Sequence, residues 1–477
     1  MKRSLMLRSA GMGFIAVLAA GCASTAPPIP LKPQEVPAAW SEPVIPDGDV
    51  WPKEGWWQQF QSVELDSLIS AARLDNLDLA AAAARVLQSE AQANIARAAL
   101  FPSVTSGASA QNQGAVEPRS NANNTLASLT GRVSYEFDFW GLARYNVGAA
   151  EALLRSARYA QETVALTVTA DAASSFFNIL AIRERIAIAT ENLAAARRVL
   201  DAIERRTENG LSSPLDLAQQ QALVAGQAAA IPALEEQERQ AVYSLALLLG
   251  RAPENFTVKG QNLTNIAVPR PVAGLPTDLL FRRPDIAQAD ANLTAANANV
   301  NAARAAFLPN VALAASAGGA TGPVSAVTDG FTVGEFSATA GSTGLIYGVG
   351  VSLLQTIFDG GRRQGQLDLT KAQQEEVVVN YRAAVFRAFS EVETSLVQSA
   401  RLDDQARLKG EQVDRAAKAF DISNVQYREG LIDLLALLQA QQTLFSAQDE
   451  LVEIRRARLQ AVIGLYKALG GGWNDRG

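Results

Sequence analysis

The chain has 477 residues, of which 19% are charged and 6% aromatic, with a net charge of −6, no histidine and a single cysteine. The lack of histidine excludes a His-based catalytic triad, a His general base and a His-ligated metal. One cysteine allows neither an intramolecular disulfide nor a Cys-cluster metal site. No carboxylate pair stands out for acid–base chemistry, so no enzyme, metal or cofactor is expected. There is no basic block, which argues against nucleic acid as a partner. Hydrophobic residues make up 48%, yet mean hydropathy is only +0.04, too polar for a bundle of membrane-spanning helices.

The chain opens with an export signal. Lys2, Arg3 and Arg8 precede an apolar stretch from Met12 to Ala20, far shorter than the roughly 20 residues that cross a bilayer. It ends in Leu18-Ala19-Ala20-Gly21-Cys22. Small residues before the only cysteine resemble a bacterial lipobox, with the leucine one place further from the cysteine than usual. This predicts a lipoprotein signal peptide over 1–21 and lipid attachment at Cys22. The alternative is an ordinary secretory signal that happens to contain a cysteine. Ala23, where an aspartate would hold a lipoprotein at the inner membrane, points to the outer membrane. The proline-rich residues 22–55 read as an extended tether.

The remainder is one unit, duplicated. Ala96-Arg97-Ala98-Ala99-Leu100-Phe101-Pro102-Ser103-Val104 matches Ala303-Arg304-Ala305-Ala306-Phe307-Leu308-Pro309-Asn310-Val311 at an offset of 207. Asn209-Gly210-Leu211 matches Glu429-Gly430-Leu431, and Leu249-Gly250 matches Leu469-Gly470, both at an offset of 220. Each half has the same order: a helix (77–100, 284–307), a β-hairpin (about 102–140, about 309–357) and a long helical hairpin (143–249, 359–468). This divides the chain into a first repeat over 56–253, a linker over 254–276, a second repeat over 277–470 and a tail over 471–477. In 143–209, Ile179, Ile186, Leu193 and Leu200 recur every seven residues, with Ile182, Ala189, Ala196 and Ile203 three further on. That is a coiled-coil seam. Leu438, Phe445, Val452, Leu459 and Tyr466 repeat the spacing in the last helix. Sixty-seven helical residues reach roughly 100 Å and the returning helix only about 52 Å, so the shorter first helix is expected to stack end to end with it. Pro232 is expected to kink or interrupt the first returning helix.

The strands alternate. Leu129, Gly131, Val133, Tyr135, Phe137 and Phe139 fall on one face, and Thr130, Arg132, Ser134, Glu136 and Asp138 on the other. Leu345, Tyr347, Val349, Val351 and Leu353 form a second apolar face. Segments of about 10 residues with this alternation match membrane β-barrel strands. Alternation alone fits equally well a pair of soluble hairpins packed on the helices. Around 112–125 and 318–342, Gly, Asn, Ser and Thr mark exposed hairpin tips. Four strands cannot close a barrel, and an open sheet leaves unpaired edges in lipid, so several chains would have to pool them. Trp51, Trp56 and Trp57 fit an interfacial belt or packing beneath the strands. Gly360-Gly361-Arg362-Arg363 lacks the ending of a nucleotide loop and reads as the start of the second long helix.

Several of these features converge on a family. The run Gly274-Leu275-Pro276-Thr277-Asp278-Leu279-Leu280-Phe281-Arg282-Arg283-Pro284-Asp285-Ile286 resembles a signature of the outer-membrane efflux proteins, the TolC-like channels, and of their NodT-type lipoprotein branch in particular. The lipobox, the Ala-Arg-Ala-Ala helix ends, Phe358-Asp359-Gly360-Gly361-Arg362 and the Tyr427-Arg428-Glu429-Gly430 turn agree with it, and the resemblance covers about 56–473. It implies a mainly α fold with a membrane β part. Each chain of a homotrimer would give four strands to a twelve-stranded β-barrel across the outer membrane and long helices to a coiled-coil barrel in the periplasm. It also implies a passive channel, with energy from an inner-membrane pump, usually of the resistance-nodulation-division type, joined through a periplasmic adaptor protein.

The resemblance carries over to the helical turns. Gly210, Leu211, Gly430 and Leu431 fall where adaptors meet the channel, and Gly210 and Gly430 suit a left-handed helix end. Asp216 falls on an acidic gate position of the first half. In the second half relatives place aspartates where this chain has Ala436 and Gln439, with Leu435 at a constricting apolar position and Asp433 the nearest acid. A gate of Leu435 and Gln439 is expected to bind cations weakly. Asp216 and Asp433 fit equally well as solvated residues at positive helix ends. The competing function is a lipid-anchored structural coiled-coil protein whose strands pack on its helices. A periplasmic adaptor is disfavoured by the duplicated helical pattern.

Overall fold

The computed structural model describes residues 37–41, 51–114, 123–321, 332–338 and 343–474; the expected signal peptide and Cys22 lie outside them. In chain order the elements are α1 (Val63–Asp75), α2 (Leu77–Ala98), β1 (Ser103–Gly114), β2 (Asn123–Phe137), α3 (Leu142–Glu208), α4 (Pro214–Leu248), α5 (Pro284–Ala305), β3 (Asn310–Thr321), β4 (Thr332–Ala338), β5 (Thr343–Leu354), α6 (Arg362–Arg428) and α7 (Leu434–Ala468). The halves match in length: α3 and α6 have 67 residues each, α4 and α7 have 35, and α2 and α5 have 22. Two compact units result. One holds Glu90–Leu153 and Asn292–Val379, the other Lys32–Ser89, Leu154–Ala291 and Asn380–Gly477.

The second unit is built on the seam read from the heptads. Ile179, Ile182, Ala189, Leu193, Ala196 and Ile203 are buried, as are Leu438, Phe445, Val452, Leu459 and Tyr466; Ile186 and Leu200 are half-buried. Trp56 stacks on Tyr466 at 4.7 Å and Phe60 lies 5.0 Å from Phe177, so the tryptophan cluster contributes to a core rather than an interfacial belt. Burial pushes the Tyr466 phenol above its ordinary range, and its O–H donates to Gln59 Oε1 at 2.7 Å.

Both repeats close at equivalent junctions. Asn76, just before α2, donates to the Leu248 carbonyl at the end of α4 (2.7 Å) and its Oδ1 caps α2 through the Leu79 N–H. Arg283, just before α5, donates to the Ala468 carbonyl at the end of α7 (3.0 Å). Its guanidinium also pairs with Asp285 and Glu391, each at 2.7 Å. These bonds satisfy carbonyls that a helix end otherwise leaves open. They bring the start of each short helix to the end of the returning one. The Arg-Arg-Pro-Asp run is thus a junction: Arg282 lies over the Trp51 ring at 4.9 Å, Arg283 is 6% exposed, and Pro284 opens α5.

Three stretches of this unit carry detail that the sequence did not show. The described parts of the 22–55 tether are docked, not free. Trp40 Nε1 donates to the Gly274 carbonyl (2.6 Å), and Trp51 is buried with its backbone N–H on the Val272 carbonyl (3.1 Å). Apolar rings overrode a proline-rich composition. The stretch 254–276 is likewise packed, with Val258, Leu263, Val272 and Ala273 buried. Its backbone is held by side chains: Glu64 accepts from the Lys259 and Gly260 N–H groups, Arg183 donates to the Val258 and Gly260 carbonyls, and Glu184 accepts from the Leu263 N–H. Finally, α4 runs through Pro232 without a break. Pro232 is exposed, and the carbonyl it deprives of a donor is that of the half-buried Ala228, one turn earlier.

The first unit carries an antiparallel sheet in the order β1-β2-β3-β5-β4. The four long strands have 12, 15, 12 and 12 residues, enough to cross a bilayer at a tilt. Register aligns their apolar positions on one face: Val104 faces Val133, Val133 faces Ala315, and Ala315 faces Val349. Phe137 opposes Val311, which opposes Leu353. Ser134, Arg132 and Thr130 lie on the other face, opposite Ser103, Thr105 and Gly107. None of residues 103–111, 127–137, 310–319 and 347–354 is buried. The sheet is a single layer, so the reading of hairpins packed on helices fails. β4 is an addition: it lies in the stretch expected to be a loop and pairs with the outer edge of β5. Backbone donors on an open edge find a partner even in Gly- and Ser-rich sequence. Each hairpin leads into its long helix through an aspartate: Asp138 accepts from the Ala143 and Arg144 N–H groups, Asp359 from those of Gly361 and Arg363.

The junctions separate glycines that look alike in sequence. Gly210, Gly250, Gly430 and Gly470 all have positive φ. A Cβ at Gly470 would lie 1.9 Å from the Arg282 carbonyl oxygen and at Gly250 2.2 Å from that of Asp75, whereas Gly210 and Gly430 face open space. Gly210→Ala should cost only the left-handed strain of about 1–2 kcal/mol. Gly470→Ala should lower the melting temperature far more, because its Cβ would overlap the Arg282 carbonyl. Thermal denaturation of the two purified variants checks this, and equal melting temperatures would refute it.

Candidate functional site at the helical turns

The two long helices end on the same backbone device. Gly210 (φ 73°) donates its N–H to the Thr207 carbonyl at 3.0 Å, and Leu211 donates to Arg206 at 2.7 Å. Gly430 (φ 72°) and Leu431 repeat this to Tyr427 (3.1 Å) and Gln426 (2.8 Å). These paired bonds close a helix with a left-handed glycine just past its end. They force a tight reversal into α4 and α7 and leave Leu211 and Leu431 exposed at 68% and 73%.

The acids at the turns act on the backbone. Ser213 caps α4: its Oγ accepts from the Asp216 N–H (3.1 Å), and Asp216 Oδ2 accepts from the Ser213 N–H (3.0 Å). This reciprocal box satisfies two donors that the helix start leaves open. Asp433 caps α7, accepting from the Ala436 N–H at 2.9 Å. Both carboxylates therefore serve helix starts, where the dipole favours negative charge.

Leu435 and Gln439 lie one turn apart on the exposed side of α7, with Leu435 65% exposed. The 220 offset places Leu215 and Gln219 at the equivalent positions of α4, where both are exposed and Leu215 is also 65% exposed. Sequence reasoning missed this second pair; the offset already in hand would have found it. Each chain thus offers two Leu-Gln steps on the open faces of its returning helices. On the opposite side, Leu434, Leu437 and Leu438 pack with Val199, Ile203 and Tyr427. Arg206 lies over the Tyr427 ring at 5.1 Å and ties the two turns together.

Above the turns α7 is held by ion pairs. Arg185 on α3 meets Asp449 (2.7 Å) and Glu453 (2.9 Å), Glu184 meets Arg455 (3.1 Å), and Lys409 on α6 meets Glu450 (2.5 Å). Burial alone would lower the Arg185 pKa, but the bond to Asp449 and the charges of Asp449 and Glu453 outweigh it and hold the guanidinium above its ordinary value. Below Asp449 the buried contacts are mainly apolar and include the fully buried Gln220 and Gln441. Gln220 donates to the Ala196 carbonyl at 2.8 Å.

The capping geometry separates charge from cap. Asp433→Ala should lower stability by about 1 kcal/mol, whereas Asp433→Ser, which keeps an acceptor, should cost no more than a few tenths. Chemical denaturation of the two variants reads the difference.

Residues 68–251 and 275–471 match the family model of the outer membrane efflux proteins. The chain is 37% identical over 469 residues to the pyoverdine export outer membrane protein OpmQ of Pseudomonas aeruginosa, covering 96% of each. It is 29% identical to the cation efflux system protein CusC of Escherichia coli, covering 97% of this chain and 98% of that one. Among solved structures, the outer-membrane channel OprN superposes with a TM-score of 0.82 at 26% identity, over 92% of this chain and 97% of that one. The outer membrane protein VceC of Vibrio cholerae gives 0.79 at 26% identity, over 88% and 100%. With both repeats matched and the long helices and one-layer sheet in place, the chain belongs to the outer membrane efflux protein family and is an outer-membrane efflux channel.

Proposed function

We propose that three copies of this chain pool β1, β2, β3 and β5 into a twelve-stranded barrel across the outer membrane. Their helices form a duct on the periplasmic side, the passive exit of a tripartite pump. The observation that carries this reading is the one-layer sheet with its apolar face aligned across four strands and none of its described side chains buried. Such a face is unstable in water and suited to hydrocarbon. Its edges need partners there, and symmetric copies supply them. In that assembly β1 of a neighbour takes the place that β4 holds on β5.

The helical turns form the periplasmic entrance. Leu435 and Gln439, joined by Leu215 and Gln219, line a gate that closes by apolar contact and neutral amides, while Asp216 and Asp433 hold the helix starts. The turns at Gly210-Leu211 and Gly430-Leu431 meet a periplasmic adaptor, and an inner-membrane pump of the resistance-nodulation-division type supplies the energy. Cys22 anchors each chain in outer-membrane lipid. The domain limits follow the repeat: 1–21 signal, 22–55 tether, 56–253 and 277–470 as halves. The export role of the 37% identical relative makes pyoverdine the first cargo to assay. A periplasmic structural protein of the same helices would need a covered sheet face, which the exposure of the strands disfavours.

Three measurements test the reading. Unboiled detergent extracts should run as a species near three times the chain mass and collapse to one chain on boiling; a monomer that needs no detergent would overturn the barrel. Leu435→Ser should raise single-channel conductance in planar bilayers severalfold, because dewetting at an apolar constriction is lost. Divalent cations added on the periplasmic side should block weakly, and strong block would refute a neutral gate.

A further inference from the structure

Apart from the turns and the sheet, the second unit contains a cleft of about 410 Å³ between the Trp56-Trp57 segment, α1, α3 and the turn after α7. Its volume lies within the roughly 300–1,000 Å³ of small-molecule sites. Aromatics are only 6% of the chain, yet Trp56, Trp57, Tyr159 and Trp473 line this one cleft, three of the six tryptophans among them. Trp56 is buried at the back against Tyr466; Trp57 and Trp473 are half-buried. Tyr159 stands perpendicular to Trp473 at 5.7 Å, an arrangement that fixes both rings.

The polar lining is charged, with Glu54 and Glu162 beside Arg73 and Arg158. The Arg73 guanidinium lies 5.5 Å from the Trp57 ring centre. Stacking on a ring leaves a guanidinium's N–H edges free to donate. Arg158 and Glu162 stand one turn apart on α3, exposed, and neither has an ion pair among the described residues. The lining is too aromatic for an inorganic anion and too charged for a lipid tail. Aromatic bodies beside forked donors fit a ring with C–H faces, hydroxyl or amide groups and a carboxylate.

We propose that this cleft binds a carboxylated N-acetylamino sugar, of the kind carried by cell-wall glycan strands, with the sugar ring against Trp57 and Trp473 and the carboxylate on Arg73 and Arg158. The source of the sugar rests on the periplasmic placement proposed above: a duct on that side of the outer membrane traverses the cell-wall layer. The cleft then gives each chain a grip on the wall, independent of transport.

The test is co-sedimentation of the full-length, detergent-purified protein with purified cell-wall sacs, and competition by soluble fragments. The protein should pellet with the sacs. Carboxylated muropeptides should compete, and neutral N-acetylglucosamine oligomers should not. Arg158→Glu and Trp473→Ala should each weaken binding at least about tenfold, with the heat-sensitive oligomer and channel conductance unchanged. Binding of muropeptides without pelleting would support the chemistry and identify a free sugar as its source. Wild-type protein that binds neither, variants that pellet as wild type does, or equal competition by the neutral oligomers would overturn the site. A protein that conducts but binds no sugar refutes only the cleft; one that binds sugar and never oligomerises refutes only the duct.

Discussion

Hydrocarbon offers no hydrogen bonds, so a strand that enters a membrane must find every backbone partner within protein. That constraint organises this chain. It accounts for four long strands in unbroken register, for a sheet one layer thick with an apolar face, and for an edge that attracts even a short segment such as β4. The β part is held together mainly by backbone pairing, with hydroxyl pairs such as Ser103–Ser134 and Ser109–Ser128 across β1 and β2, and none of its described side chains is buried within the chain.

The helical part obeys a different economy. Its largest apolar cluster has Trp56, Phe60, Phe177 and Tyr466 at its centre, and smaller clusters follow toward the turns. Two of the polar groups buried in it, Asn76 and Arg283, stand where helix ends meet. Asn76 and Arg283 do the same task in the two halves with different chemistry, one with a neutral amide and the other with a guanidinium neutralised by Asp285 and Glu391. The charged version is tolerable because every charge at the junction has a partner. A duplicated chain has thus kept a geometric solution while exchanging the residue that provides it.

Much of this was legible in the sequence. The glycines at 210, 250, 430 and 470 mark helix ends because no other residue takes a left-handed φ without strain, and they set helix lengths to within a few residues. Heptad spacing found the seam because burial has the period of the helix. Three things were hidden for physical reasons. Trp40 and Trp51 dock a proline-rich segment through contacts with residues more than 200 positions away, which no local pattern reports. Pro232 is accommodated because one lost bond on an exposed side costs less than breaking a packed helix. The roles of Asp216 and Asp433 as caps depend on oxygen positions near single N–H groups, and composition shows only that acids stand near helix starts.

The contrast between the two units also sets an order of events for a newly exported chain. The helical unit has a core of its own and can mature in water. The strands have none, so until they meet lipid and their neighbours they are an adhesive surface joined to a finished one. Such a molecule has a vulnerable interval in its life, between export and insertion, during which its sheet face must be escorted or kept apart from other copies. The length of that interval, rather than the stability of the finished helices, then limits how much of the protein reaches the membrane.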